Sequence, residues 1–213
     1  MPYIIAGLGN PGEEYEGTRH NAGRIILDII RKEYGGDPKF DKKLNSMVAN
    51  GKIGKEKMIF VAPETFMNNS GKAVGPLVKN AKAAGKLIVI YDDFNLPLGR
   101  AKISYNRSSG GHNGLESIIK AVKTEAFLRM RIGTAPAKAN GDAKTPHGDE
   151  KIEKFILGKF KDEEMKELKV VGKRMVEAAE MIVKEGKEKA MSVFNASLLY
   201  TPAPSSALSD RRG

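Results

Sequence analysis

Residues 86–93, Lys-Leu-Ile-Val-Ile-Tyr-Asp-Asp, set the tightest limit on how this chain can fold. Five apolar residues in a row, without polar alternation, read as a strand covered on both faces, and two acids close it. Such a strand needs helices on both sides. The chain supplies them between further strands. YIIAGL at 3–8 is a second buried strand, and SMVANGKIGKEKMIFVAP at 46–63 reads as two strands around a glycine-containing turn. RAKISYN at 100–106 and FLRMRIGTAP at 127–136 complete the set.

Helical periodicity fills the intervals. From Asn21, Ile25, Ile26, Ile29 and Ile30 share one face, and Gly35-Gly36 stops the run. Residues 70–86 read as a helix capped by Ser70 with Pro76 inside it, and 113–123 as another. Between 162 and 184, Met165, Leu168, Val171, Met175, Ala178, Ala179 and Ile182 line one side of an amphipathic helix. Residues 135–150, rich in Ala, Lys, Gly, Pro and Thr, predict a mobile loop. Strands alternating with helices give an α/β sheet with helices on both faces.

Charge bears on partners. Lys+Arg 36 against Asp+Glu 26 leaves a net +10, a field that favours a polyanion and, for nucleic acid, binding by counterion release. Tryptophan is absent and aromatics are 7%, which disfavours platforms of stacked bases. The chain has no cysteine, so disulfides, thiol nucleophiles and thiolate metal sites are excluded, as suits a reducing cytoplasm. No apolar run approaches the roughly 20 residues of a membrane span, and the first residues show no secretory pattern.

The first strand runs into Gly7-Leu8-Gly9-Asn10-Pro11-Gly12, a G-x-G-x-x-G match. A dinucleotide site also needs a helix opening at the glycines and an acid ending a second strand about 20 residues on. Here residues 12–20 separate Gly12 from the first helical periodicity, Pro11 removes an amide donor, and the later position lies in the helical stretch ILDIIRKEY. The glycines instead imply a tight turn at the carboxyl end of the first strand, where open α/β sheets place their sites.

Three histidines are available, and His147 sits in the Pro- and Gly-rich loop. His20 lies between the glycine turn and the first helix, and His112 in SSGGHNGLESI, a glycine loop feeding a helix. Asn10, Asn68, Asp92, Asp93 and Asn113 all fall where strands end or helices begin, so they and His20 can converge at one rim. A buried carboxylate bonded to histidine orients the imidazole and stabilises its protonated form, and asparagine amides can hold a carbonyl. Serines 70, 108 and 109 lack a nucleophile-elbow context, and no metal-ligand spacing is recognisable. Water activated by His20, without metal or cofactor, is the expected chemistry.

GLGNPGEEYEGTRHNAG, PETFMNNSGKAV, YDDFNLPLGRAKI and GGHNGLESI, in this order and spacing, closely resemble the bacterial peptidyl-tRNA hydrolase family. The likeness extends through RMRIGTAP and KIEKFILGKF to about residue 195. It implies a monomeric α/β globule with a mixed twisted sheet, comprising residues 1–195, with a flexible polar tail at 196–213. It implies cytoplasmic hydrolysis of the ester joining a peptide to the 3′ end of tRNA. By resemblance His20 is the base, Asp92 orients it, and Asn10 positions base and carbonyl. Asn68 matches an oxyanion donor, Asn113 and His112 fall in the motif holding substrate and water, and Tyr15 and Met67 shape the cleft. Arg131 matches a residue that clamps the tRNA 5′ phosphate. Ser104 stands where the second basic clamp residue is expected, so Lys102 or Arg107 substitutes or the clamp is weaker. Asn95 replaces an acid common before Leu-Pro, and RIGTAP departs from a more glycine-rich, basic version. A non-catalytic RNA-binding relative, like the plant organelle splicing factors, is the alternative, and a nicotinamide enzyme is a more distant one.

Overall fold

A computed structural model describes residues 1–196. The elements in chain order are β1 (Tyr3–Gly7), α1 (Ala22–Tyr34), β2 (Lys39–Asp41), β3 (Ser46–Ile53), β4 (Glu56–Pro63), α2 (Ser70–Val74) and α3 (Ala81–Ala84). There follow β5 (Leu87–Pro97), β6 (Ala101–Tyr105), α4 (Asn113–Val122), β7 (Leu128–Ala135), α5 (Asp149–Ile156), α6 (Asp162–Glu185) and α7 (Lys187–Ala196). The expected tail beyond residue 196 lies outside the described residues.

Seven strands form one mixed sheet in the order β2-β3-β4-β1-β5-β7-β6. The four central strands run parallel, and the outer pairings are antiparallel. β5 has the character its sequence requires. Ile88 and Ile90 pack into a core with Ile26 and Ile30 of α1 and Leu168, Met175 and Ile182 of α6. Leu87, Val89 and Tyr91 face a second core with Val74 of α2 and Leu115 and Ile118 of α4. Each such side chain, fully buried, contributes roughly 1.5–3 kcal/mol, so a polar residue inside the run would cost the layer it faces. Because β1 sits between β4 and β5, the chain reverses its direction of travel across the sheet there, and a crevice opens at the carboxyl ends of those strands.

Three sequence expectations change. The helix expected over 70–86 is broken: α2 ends at Val74, a 3₁₀ turn at Gly75–Leu77 carries Pro76, and α3 begins at Ala81. Proline removes the backbone donor that would have continued the helix. Ser70 is also no cap, for it is the first residue of α2 and its hydroxyl donates to the Met67 carbonyl at 2.8 Å, whereas Asn80 caps α3. The expected loop is irregular from 136 to 148 with one bridge between Ala137 and Ala143, but α5 starts at Asp149. α5 has a short apolar stripe, Ile152, Phe155 and Ile156 at helical spacing, that was readable in KIEKFI but is only half-buried in the fold. β2 and α7, both short, lacked a readable pattern.

The glycine turn separates into two functions. Only Gly12 has a left-handed φ, at 106°. A side chain at Gly9 would lie 2.5 Å from Arg24, and one at Gly7 2.5 Å from the Gly23 carbonyl and Leu27 of α1. Gly7 and Gly9 therefore let α1 pack closely on the end of β1, a correction to the reading of all three as turn formers. Two short 3₁₀ turns, Glu13–Tyr15 and Arg19–Asn21, precede α1, so His20 occupies the rim where a dinucleotide fold would expose a helix start.

Candidate active site

His20 lies in the turn Arg19–Asn21 and is only 7% exposed. Its Nδ1 is 2.9 Å and 3.1 Å from the two carboxylate oxygens of Asp92, at the end of β5's apolar run. His112 approaches the same carboxylate from the start of α4, with Nε2 3.1 Å from Asp92 Oδ1. The tautomers follow from the remaining bonds. His112 caps α4 by accepting the Leu115 amide on Nδ1, so that nitrogen carries no proton and Nε2–H donates to Asp92. Asp92 accepts from His20 Nδ1–H as well, which leaves Nε2 as the proton-accepting nitrogen of a ring that lines the cleft.

Electrostatics support that assignment. Burial opposes a charged imidazolium at His20, but the charge of Asp92 and its hydrogen bond outweigh it and raise the histidine's pKa above its ordinary 6.5. Burial likewise opposes ionisation of Asp92, yet the two histidines hold it far below the usual carboxylate range. The pair is a buried imidazole held in a fixed orientation by a carboxylate that stays ionised, an arrangement able to take up a proton. The facing atoms of His20, Asp92 and His112 lie within 4.8 Å of one another, a grouping hidden in sequence by separations of 72 and 20 residues.

Asn10 is held by a reciprocal clasp. Its backbone amide donates to Asn21 Oδ1 at 2.8 Å, and Asn21 Nδ2 donates to its carbonyl at 3.0 Å. Its side-chain Oδ1 accepts the Met67 amide at 2.9 Å, which fixes which end of the amide carries the Nδ2 donor, on a residue that lines the cleft. The cleft is about 710 Å³ and is lined by Asn10, His20, Asp92, Asn68, Asn113 and His112, with Tyr15, Phe66 and Met67 on one wall and α5 on the other. Tyr15 and Phe66 meet edge to face at 6.5 Å. Gly114 lets α4 approach Met67, whose sulfur would be 2.4 Å from any added side chain.

A second hollow of about 390 Å³ adjoins the first and shares Asp92, Phe94, Gly110 and His112 with it. Its walls carry Lys102, Arg107, Arg129 and Arg131, so the basic residues singled out in the sequence do cluster. Lys102 faces Arg131 across the β6–β7 pairing, and Ser104 faces Arg129. Arg131 Nε donates to Asp93 Oδ2 at 2.7 Å, a contact that orients the guanidinium along the hollow. Arg129 is fully buried, bonded to the carbonyls of Glu125, Phe127 and Arg107, and supports the loop that carries Arg107.

Sequence reasoning missed Asn21, Arg19, Phe66, Arg129 and the α5 residues Ile152 and Ile156. The Asn of "RHNAG" beside His20 was the available signal for Asn21; for α5 the helical spacing of Ile152, Phe155 and Ile156 was readable, but its place at the cleft depends on where that segment folds. His147 stands on neither hollow.

Comparison with known proteins places the chain among relatives of one family. The family model for peptidyl-tRNA hydrolase matches residues 4–201. The peptidyl-tRNA hydrolase of Caldanaerobacter subterraneus subsp. tengcongensis is 43% identical over 194 residues, covering 91% of this chain and 99% of its own. That of Aquifex aeolicus is 39% identical over 193 residues, covering 90% and 95%. The crystal structure of peptidyl-tRNA hydrolase from Acinetobacter baumannii matches with a TM-score of 0.82 at 29% identity, over 95% of this chain and 97% of that one. With fold, sequence and near-complete coverage in agreement, the chain belongs to the peptidyl-tRNA hydrolase family.

Proposed function

We propose that His20 is the general base with which this enzyme hydrolyses the ester between a peptide and the 3′ end of tRNA. The observation that carries this reading is the buried His20–Asp92 pair on the floor of a cleft that opens beside a basic hollow. The apolar-walled cleft receives the peptidyl group, and the basic hollow receives phosphates of the tRNA through Arg131, Lys102 and Arg107.

His20 Nε2 takes a proton from water as its oxygen attacks the ester carbonyl. Asp92 stabilises the resulting imidazolium, a contribution of about 10²- to 10⁴-fold for a well-placed base. Negative charge grows on the carbonyl oxygen, and the amides of Asn10, Asn68 and Asn113 are the donors at hand. Collapse of the tetrahedral intermediate breaks the bond to the ribose oxygen, which recovers the proton from His20. Free tRNA and the peptide acid result.

Purified protein should release tRNA from N-acetyl-aminoacyl-tRNA, and His20→Ala should lose most of that rate. An unchanged rate would eliminate His20 as the base. The family membership and the assembled pair do not favour the non-catalytic RNA-binding alternative. The enzyme is assigned to the cytoplasm, where tRNA is charged and used, as a monomer with residues 1–195 as its catalytic domain. Among the described residues no helix is long and apolar enough to cross a membrane. A monomer mass in light scattering checks the oligomeric state.

A further inference from the structure

The mechanism uses His20 but not Arg19 beside it, and Arg19 is buried at 8% exposure. Its side chain points away from the cleft floor into the chain that follows α5. One guanidinium nitrogen donates to the Lys159 carbonyl at 2.7 Å and reaches Gly158 O at 3.4 Å. The other donates to both oxygens of Glu164, at 2.7 Å and 2.8 Å. The guanidinium lies 4.9 Å from the centre of the Phe155 ring and 5.1 Å from that of Phe160. The backbones join too: Arg19 N donates to Gly158 O and Phe160 N to Gly17 O, around a bridge between Thr18 and Lys159.

α5 has no buried residue of its own, yet Ile152, Glu153 and Ile156 form the far wall of the cleft. With its apolar residues only half-buried, α5 is a weakly held element, so ties at its carboxyl end bear directly on where it sits. Its carboxyl end runs directly into the residues that surround Arg19.

We propose that Arg19 is a positioning residue that ties the α5 wall to the turn bearing His20, and so sets the grip on the peptide beyond the residue being released. This rests on the reading of the cleft as the peptide site. A short acyl group reaches only the floor formed by His20 and Asn10. A longer peptide extends along Ile152 and Ile156.

The test compares wild type with Arg19→Met, which keeps the bulk and removes the charge-assisted bonds, and with the milder Glu164→Gln. Hydrogen exchange is followed over 150–160, and kinetics are measured on N-acetyl-aminoacyl-tRNA and on tRNA bearing a peptide of several residues. Arg19→Met should speed exchange in 150–160 by about tenfold or more while β1 and β5 stay protected, since a hydrogen-bonded charge in such a setting is worth roughly that factor. KM for the longer substrate should rise about tenfold, with kcat and the pH midpoint held and the N-acetyl substrate changed less than about twofold. Glu164→Gln should move both readouts in the same direction by about threefold and covers the case in which Arg19→Met does not fold. Unchanged exchange over 150–160 in whichever variant folds, or equal losses on both substrates, would overturn the proposal. The exchange readout does not involve His20, so failure of the base assignment would show separately as activity in His20→Ala.

Discussion

Asp92 and Asp93 are neighbours of the same residue type at the end of one strand, and both line the basic hollow, yet they meet different partners. Strand alternation sends their side chains to opposite faces. Asp92, 3% exposed, meets two histidines whose rings can exchange protons. Asp93 meets Arg131, which cannot deprotonate, on the wall of the basic hollow. A carboxylate beside histidine tunes a reaction, whereas a carboxylate beside arginine only aims a charge. The partner decides the function of the acid.

Substitutions that leave shape intact separate the two most sharply. Asp92→Asn should lower kcat about 10²- to 10⁴-fold, because the amide cannot stabilise the imidazolium and can present the wrong hydrogen-bonding edge. The pH profile sharpens this point. The active form of His20 is neutral and its pKa is raised, so kcat/KM in the wild type should climb through a midpoint above 6.5. In Asp92→Asn the raising influence is lost and burial remains, so the residual activity should show a midpoint shifted downward. A midpoint that stays put in the variant would mean that another group titrates.

His112→Asn removes the second donor to Asp92 but keeps a side chain able to cap α4. A loss of about tenfold in kcat is expected for one such hydrogen bond to a charged group, measured on N-acetyl-aminoacyl-tRNA. Arg131→Ala should act on the other region alone, raising KM for tRNA substrates several-fold and reducing the slope of log KM against log salt by about 1, while small ester mimics react normally. Equal losses on tRNA and mimic would remove Arg131 from phosphate binding. The smallest effect belongs to Asp93→Asn, which makes the hollow more positive. Tight tRNA binding should persist, with KM unchanged or lowered by less than about threefold, since partly exposed ion pairs are worth about 1 kcal/mol or less. A large kcat loss there would erase the distinction between the two acids.

Much of this was legible before any coordinates. The apolar run at 87–91 required two covering layers, and both are present. His20, Asp92 and the asparagines stood at element boundaries, and those boundaries meet at one rim. Where reading failed, the pattern was physically weak. Pro76 interrupted a periodicity that continued beyond it, and the apolar stripe of α5, only eight residues long and half-buried, sits beside a stretch rich in Ala, Lys, Gly, Pro and Thr that reads as loop. The three glycines at 7, 9 and 12 look alike in sequence, but two answer to the approach of α1 and one to its own backbone angle.

The sequence by itself determined the layered α/β architecture, the chemistry available and the positive field, because apolar periodicity, residue type and charge are local properties. Tertiary structure alone decided that Asp92 meets both His20 and His112, which nitrogen of His20 the carboxylate leaves unengaged, and that Arg19 bonds to a backbone carbonyl 140 positions away. Those outcomes depend on side chains brought together across the sheet, where burial and hydrogen bonds to distant partners fix orientation.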